Sequence, residues 1–374
     1  MQSNSVSIQR ITAFAVLLFL GIYLLVVGQN ILIPLAFGAL FAFMLKPVCA
    51  LFERWVKWRI PSIFFSMLAV AIPFVMLLFF FSTQLVNVFD DMPSIKEKVN
   101  TGVEVLYNWT KSTFGFSQAE TDKFIKEQLP KILNQPLANV GGGFMSSASF
   151  FTSFFLSIIY TFLFLLYRSA FKQFILMQKG DKEQSHISEL IQKIQTVIQK
   201  YLSGLFLVIL ILGTLLSLGL WMIGIKHAFF WGFLAAMLAI IPYIGTFIGG
   251  FLPFLYALAT AEQSWQPFAV VALFIAVQGL EGNLITPNVV GSTVKVNPLA
   301  AIVALLVGAE IWGIAGMVLS LPATAVLKEI LQQSNAWKPV SYLLSDEISG
   351  DQEAFRLKWN SERFRLRNFF KRSK

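Results

Sequence analysis

Charge, cysteine and histidine are the scarce commodities of this chain. Only 13% of its 374 residues are charged, against a hydrophobic share of 56%, whereas a soluble domain of ordinary composition is about 25% charged and about 45–50% apolar. So few charges cannot cover a globular surface in water, so a water-soluble enzyme is excluded. One cysteine, Cys49, excludes an intrachain disulfide and a thiolate metal cluster. The two histidines, His186 in a polar stretch and His227 at the edge of an apolar one, are too few for a histidine-rich metal centre. There is no H-E-x-x-H, G-x-S-x-G, Walker or usable G-x-G-x-x-G pattern, which excludes an ATP-driven pump contained in this chain. No aspartate falls in any apolar run, so a paired-aspartate intramembrane protease is excluded too. The expectation is a non-enzyme with no catalytic residues, no metal and no cofactor.

What is abundant is long apolar sequence, with 38 Phe and a mean hydropathy of +0.69. A spanning helix takes about 20 mostly apolar residues, and such runs extend from Ile11 to Gly28, Ile31 to Leu51, Ile60 to Val86, Phe150 to Tyr167, Leu202 to Ile225, Ala228 to Ala261, Phe268 to Ile285 and Pro298 to Leu327. The first reads as a retained span, since no small-x-small cleavage motif follows it. The expected fold class is therefore all-α: a polytopic helical membrane protein of about eight transmembrane helices. The sixth and eighth runs are long and carry internal Gly and Pro, and each is compatible with one helix, a broken helix or a hairpin.

Polar stretches divide the chain. Residues 1–86 hold three spans. Residues 87–147 hold seven acidic and six basic residues from Asp90 to Lys131, and read as a small helical insert in which Ser117-Gln118-Ala119-Glu120 fits a capping box. Residues 148–200 contain the fourth span and an amphipathic linker with Ile187, Leu190, Ile191, Ile194 and Ile198 at helical spacing. Residues 201–335 contain the remaining spans, and 336–374 form a basic tail. Lysine and arginine cluster after span two, after span four and in the tail, where nine lie between Lys338 and Lys374. A count of eight crossings places all three clusters on one side, which by the positive-inside rule is the cytoplasm, with both termini inside and the insert outside. The net charge of +9 is then a matter of topology and anionic lipid, and nucleic acid is not an expected partner. Arg363, Arg365, Arg367, Lys371, Arg372 and Lys374 either hold the tail on anionic lipid or are simply solvated.

Candidate pathway residues concentrate after position 200. Ile241-Pro242-Tyr243-Ile244-Gly245 leads to Gly249, Gly250 and Pro253; Gly308, Gly313 and Gly316 lead to Pro322. Proline removes a backbone donor and glycine permits close approach. Such interruptions either line a wet cavity or form small-residue packing faces, and paired ones point to a secondary transporter's site. Between them lie Gln278, Glu281 and Asn283, then Pro287, Asn288 and Asn297-Pro298. A carboxylate near the centre of a spanning helix costs about 2.5–3.5 kcal/mol, so Glu281 and Glu310 each need a cavity, a partner, a cation or contact with interfacial water.

The same residues carry a family resemblance. Pro34, Lys46-Pro47, Tyr201-Leu202-x-Gly204, Ile241-Pro242-x-x-Gly245 with Pro253, Glu281-Gly282-Asn283 with Pro287 and Gly291, Asn297-Pro298 and the Gly308 to Pro322 stretch resemble, in order and spacing over nearly all of residues 11–330, the AI-2 exporter (AI-2E, PerM-like) family of bacterial and archaeal membrane proteins. The chain departs from the pattern at Asn297, where members often carry His, and at Lys46, where they often carry Asn. The resemblance implies secondary transport in a bacterial inner membrane; the pathway residues expected from the sequence itself are Pro242, Gly245, Gln278, Glu281, Asn283, Pro287, Asn297 and Glu310. It implies a homo-oligomer, expected to be a pentamer, with residues 201–330 as transport core. The first expected function is export of a small polar solute such as autoinducer-2, the second sodium or lithium/proton antiport. A third, of a different class, is a non-transporting scaffold whose insert binds a partner.

Overall fold

The computed structural model describes residues 8–90, 148–178, 181–241, 244–291, 295–334 and 337–346. Nearly all of the expected 87–147 insert, Pro242 and most of the basic tail lie outside them. Helices α1 (Ile8–Val27), α2 (Gln29–Val56), α3 (Arg59–Asp90), α4 (Ala148–Met177) and α5 (Asp181–Ile223) are followed by two short ones, α6 (Ala228–Leu238) and α7 (Ile244–Thr260). Then come α8 (Gln266–Leu280), two π-helical turns (Glu281–Ile285 and Pro287–Gly291), α9 (Pro298–Gln333) and α10 (Lys338–Leu344). Among the described residues there is no strand beyond one isolated bridge, Val296 to Ser345. Hydrocarbon offers no partners to backbone N–H and C=O groups, so spanning segments satisfy them internally as helices. Six of these helices are long and apolar enough to cross a membrane, and the fold is an all-α polytopic membrane protein. Phe79 is 70% exposed and Met222 80%, a surface that suits lipid rather than water.

Several helices overrun the ends expected from hydropathy. α2 continues through Pro47 to Val56 and stops where Lys57 turns left-handed (φ 60°), its N–H donating to the Glu53 carbonyl. α4 runs on to Met177, and the polar segment 181–200 is continuous with the span after it as the 43 residues of α5. The linker's apolar stripe explains this continuity. Ile198 is buried while Glu189, Lys193 and Lys200 are exposed, so the helix is held by its packed face and keeps its charged face in water.

The chain packs as two compact units, one of residues 1–67, 156–206 and 286–374, the other of residues 68–155 and 207–285. In the first, Ala42, Leu45, Cys49, Ile63 and Leu165 form a core between α2, α3 and α4. Thr161 Oγ1 on α4 donates to the Gly38 carbonyl on α2 at 3.3 Å. Arg168 closes the core's polar end by donating to both Glu53 carboxylate oxygens, at 2.5 and 2.7 Å. Gln199 donates to the Phe43 carbonyl at 2.9 Å and Lys46 to the Gln195 amide, which seats α5 on α2.

α9 is a folded-back pair of limbs rather than a straight rod. Trp312 (φ −133°, ψ 17°) and Gly313 (φ 58°, ψ −135°) break the helix, and a Cβ on Gly308 would lie 3.1 Å from that of Ser320. Limbs of residues 298–311 and 314–333 rise roughly 21 and 30 Å at the α-helical 1.5 Å per residue. Their far ends meet again, since Lys328 Nζ on the second limb donates to the Lys295 carbonyl just before the first, at 3.0 Å. The Trp312 indole at the tip donates to the Leu25 carbonyl of α1 at 2.9 Å.

In the second unit, Val88, Leu220, Ala228, Phe230, Trp231, Tyr256 and Val270 share a core, and His227 Nδ1 lies 2.9 Å from Gln84 Oε1. Here too the long apolar block is a hairpin, α6 returning as α7, with a Cβ at Gly249 meeting Ala235 Cα at 3.0 Å. Gln266 ties its base to α5: its amide nitrogen donates to the Ile223 carbonyl at 2.8 Å, while its oxygen accepts from the Glu262 and Gln263 N–H groups at 3.0 Å each.

Candidate functional site

The α6–α7 hairpin of the second unit turns back within a few residues of Leu238. After Leu238 the helix tightens, with Ile240 N–H donating to the Met237 carbonyl and Ile241 N–H to that of Leu238, both three residues back, a 3₁₀ pattern common at helix ends. Gly245 resumes the helix so close to the first limb that any Cβ there would collide with the Leu238 backbone. Only glycine fits, and the tight turn follows. Gly232 on α6 similarly abuts Ser217 on α5, where a Cβ would lie 2.7 Å from Ser217 Cα, and Gly213 abuts Phe233. Gly213 with Ser217, and Gly232 with Ala236, are i,i+4 small pairs that let helices approach closely at membrane depth.

Beside this tip α8 ends in a π-helical turn at Glu281–Ile285, an irregularity that recurs at functional sites because it redirects side chains. Leu212 and Leu216 of α5, Ala235, Ala236 and Ala239 of the first limb, Thr246 of the second, and Phe274, Val277, Gln278 and Glu281 of α8 and its end surround a cavity of about 20 Å³. That is room for about one water molecule. Its wall is apolar except at Thr246, Gln278 and Glu281. The Gln278 amide donates to Glu281 Oε2 at 2.6 Å, and a hydrogen bond to a charged group contributes about 1.5–3 kcal/mol. That is of the same order as the cost of placing a carboxylate in a spanning helix.

The other expected residues take different places. Gly245 shapes the tip. Asn283 is exposed and donates to the Gly279 carbonyl at 2.8 Å, which stitches the π turn. Pro287 opens the second π turn and belongs to the first unit, as do Glu310 and Asn297. Glu310 is exposed near the α9 tip and has no hydrogen-bond or ion-pair partner among the described residues. Asn297 caps α9: its Oδ1 accepts from Ala300 N–H at 2.8 Å while its Nδ2 donates to the Leu343 and Ser345 carbonyls. Thr246 and the Leu212–Leu216 wall had no sequence motif of their own, although the glycines at 245 and 249 mark the face that Thr246 adjoins. Among the described residues no three of His, Cys, Asp and Glu converge as metal ligands. One carboxylate, a hydroxyl and an amide suit a proton, a water or a single monovalent cation.

Comparison with known proteins agrees with this architecture. Residues 12–336 match the model of the AI-2E family transporters. The chain is 22% identical over 334 residues to the sodium-lithium/proton antiporter of Halobacillus andaensis, covering 81% of this chain and 91% of that one. It is 38% identical over 131 residues to YrrI of Bacillus subtilis (strain 168), covering 35% and 36% of the two chains. With the AI-2 transport protein TqsA of Escherichia coli (strain K12) it shares 29% identity over 122 residues, 33% of this chain and 35% of TqsA. The YrrI and TqsA matches thus span about a third of those proteins. With the match covering most of its length, several apolar spanning helices and paired hairpins, the chain belongs to the AI-2E transporter family and is a multi-pass membrane transport protein.

Proposed function

We propose that this protein is a secondary transporter in which Glu281 carries the coupling proton or monovalent cation. The observation behind this reading is the Glu281 carboxylate, held by Gln278, facing a water-sized cavity at the tip of a broken helix. A carboxylate that neutralises its charge by taking up H⁺ or a metal cation crosses low-dielectric surroundings at lower cost than a bare anion. The α6–α7 tip and the π turn beside it are the irregular elements able to rearrange.

Two cargoes fit. Export of a small polar solute of the autoinducer-2 kind is supported by the likeness to TqsA. Exchange of sodium or lithium for protons is supported by the likeness to the antiporter over most of both chains, and a cavity of about 20 Å³ favours it, being closer to an ion than to a sugar-like solute. Residues 201–335, with both hairpins, are the part assigned to transport.

The same reading puts both termini on the cytoplasmic side of a bacterial inner membrane. Helices α2 to α5 and α8 are five crossings by length and hydropathy, and the 20-residue α1 is the sixth. Each hairpin returns to the side it left, as the Gln266 to Ile223 and Lys328 to Lys295 contacts support, so the number stays even. Purified protein in liposomes tests the coupling. Under an imposed pH gradient the wild type moves sodium or lithium, or in the exporter case autoinducer-2, and Glu281→Gln abolishes the gradient dependence. A Glu281→Gln protein with undiminished pH- or sodium-dependent flux would overturn the assignment. A homo-oligomer, which the family resemblance implies, is read from the mass of the same preparation.

A further inference from the structure

At the base of the α9 hairpin, in the first unit, a second and larger cavity opens between α5 and α9. It measures about 400 Å³ and is lined by Glu189, Lys193 and Thr196 of α5, by Lys295, and by Lys328 and Glu329 of the second α9 limb. Pockets of about 300–1,000 Å³ are the usual size for small-molecule ligands, but those are mostly apolar. With Gln192 and Val197 the lining is eight residues, of which five are ionisable, which favours a charged ligand over a hydrophobic one.

The charges are arranged in pairs around the cavity. Glu189 pairs with Lys193 at 3.0 Å on α5, and Glu329 lies 4.0 Å from Lys328 on α9. Lys295 is exposed, with no carboxylate partner among the described residues. Its left-handed backbone (φ 46°) is an uncommon conformation for a non-glycine residue. It is held there by its own carbonyl, which accepts from Lys328 Nζ at 3.0 Å and from Asp346 N–H at 3.1 Å. Lys328 is only 6% exposed, a rare degree of burial for lysine, and its ammonium is fixed at the cavity wall by that contact. Lysines from three separate segments thus line one polar cavity.

We propose that this cavity binds a phosphate group, carried either by a soluble phosphorylated solute or by an anionic lipid headgroup, between Lys193, Lys295 and Lys328. It is a site separate from Glu281 and does not depend on the coupling reading. Bound phosphate bridges α5 to the base of the hairpin, so occupancy stiffens the α9 hairpin.

The test follows the melting temperature of the purified full-length protein in nonionic detergent during titration with inorganic phosphate, with chloride at matched ionic strength as control. Phosphate raises the melting temperature saturably and chloride does not. Lys193→Gln and Lys295→Gln, at exposed positions that leave the fold intact, each weaken the apparent affinity about tenfold, the order expected for one lost charge-assisted hydrogen bond. Nanodiscs of phosphatidylcholine with and without phosphatidylglycerol separate the sources. A phosphate response lost when phosphatidylglycerol is present identifies the headgroup as occupant, and a response equal in both identifies a soluble phosphate compound. No phosphate-specific shift in any of these media, or a shift undiminished in the Lys193→Gln/Lys295→Gln double variant, overturns the proposal.

Discussion

Gly308 and Gly316, eight positions apart in one apolar run, are backbone neighbours: a Cβ on Gly308 would sit 2.8 Å from the Gly316 carbonyl carbon. On a straight helix they would be about 12 Å apart along the axis. The pair is what makes α9 a hairpin, and Gly313 supplies the turn. Gly316→Val should therefore open or distort the hairpin and cost about 1–3 kcal/mol or more, as overpacking does. Gly21→Ala, with nothing within 4 Å of the added methyl, should leave the melting temperature at or slightly above wild type, alanine being the better helix former. Thermal unfolding in detergent measures both.

Gln278 supports Glu281 directly. Gln278→Leu keeps the bulk and removes the donor, so a charged Glu281 loses about 1.5–3 kcal/mol of stabilisation. The expected result is a transport rate lowered about tenfold or more, read in the liposome assay, with a melting temperature lowered by no more than the lost hydrogen bond accounts for. Asn283→Ala, which touches only the π turn, should lower stability rather than coupling.

Asn297 works in two directions, and two substitutions separate them. Asn297→Asp retains the acceptor for Ala300 N–H but not the donor to the Leu343 and Ser345 carbonyls; Asn297→Ala loses both. The alanine variant should cost about 1–2 kcal/mol from the lost cap. Both variants should speed cleavage at the C-terminal end of α10 in limited proteolysis, since each removes the side-chain tie to Leu343 and Ser345 while the Asn297 N–H to Leu344 bond remains.

Arg168 and Glu53 are half-buried partners with side chains 29% and 25% exposed. Removing one leaves the other charge poorly compensated, so Glu53→Ala and Arg168→Ala should each destabilise by about 1–3 kcal/mol, and the double variant by less than the sum. A double-mutant cycle on chemical unfolding gives the coupling energy.

Topology has its own check. With Cys49 replaced by Ala, single cysteines introduced at Ser5 and at Ser373 should both react with an impermeant maleimide only from the cytoplasmic face. Labelling of one terminus from each side would mean an odd number of crossings.

Much of this protein is determined by hydropathy alone. Runs of about 20 apolar residues with 13% charge overall leave the chain no option but helices in lipid, and the ordered Gly, Pro, Glu and Asn positions are enough to indicate the family. Hydropathy says nothing of direction, however. A run such as Ala228 to Ala261 or Pro298 to Leu327 is equally apolar whether it crosses once or turns back, and only the close approach of Gly245 to Leu238 and of Gly308 to Gly316 decides for hairpins. Lys193, Lys295 and Lys328, far apart in the chain, line one cavity because α5, the turn before α9 and its second limb meet in space. Glu281 is visible in the sequence as an expensive carboxylate. Its neighbours Leu212, Ala235 and Thr246 are not, because a cavity is a property of packing between distant segments, and the chain order does not encode which faces meet.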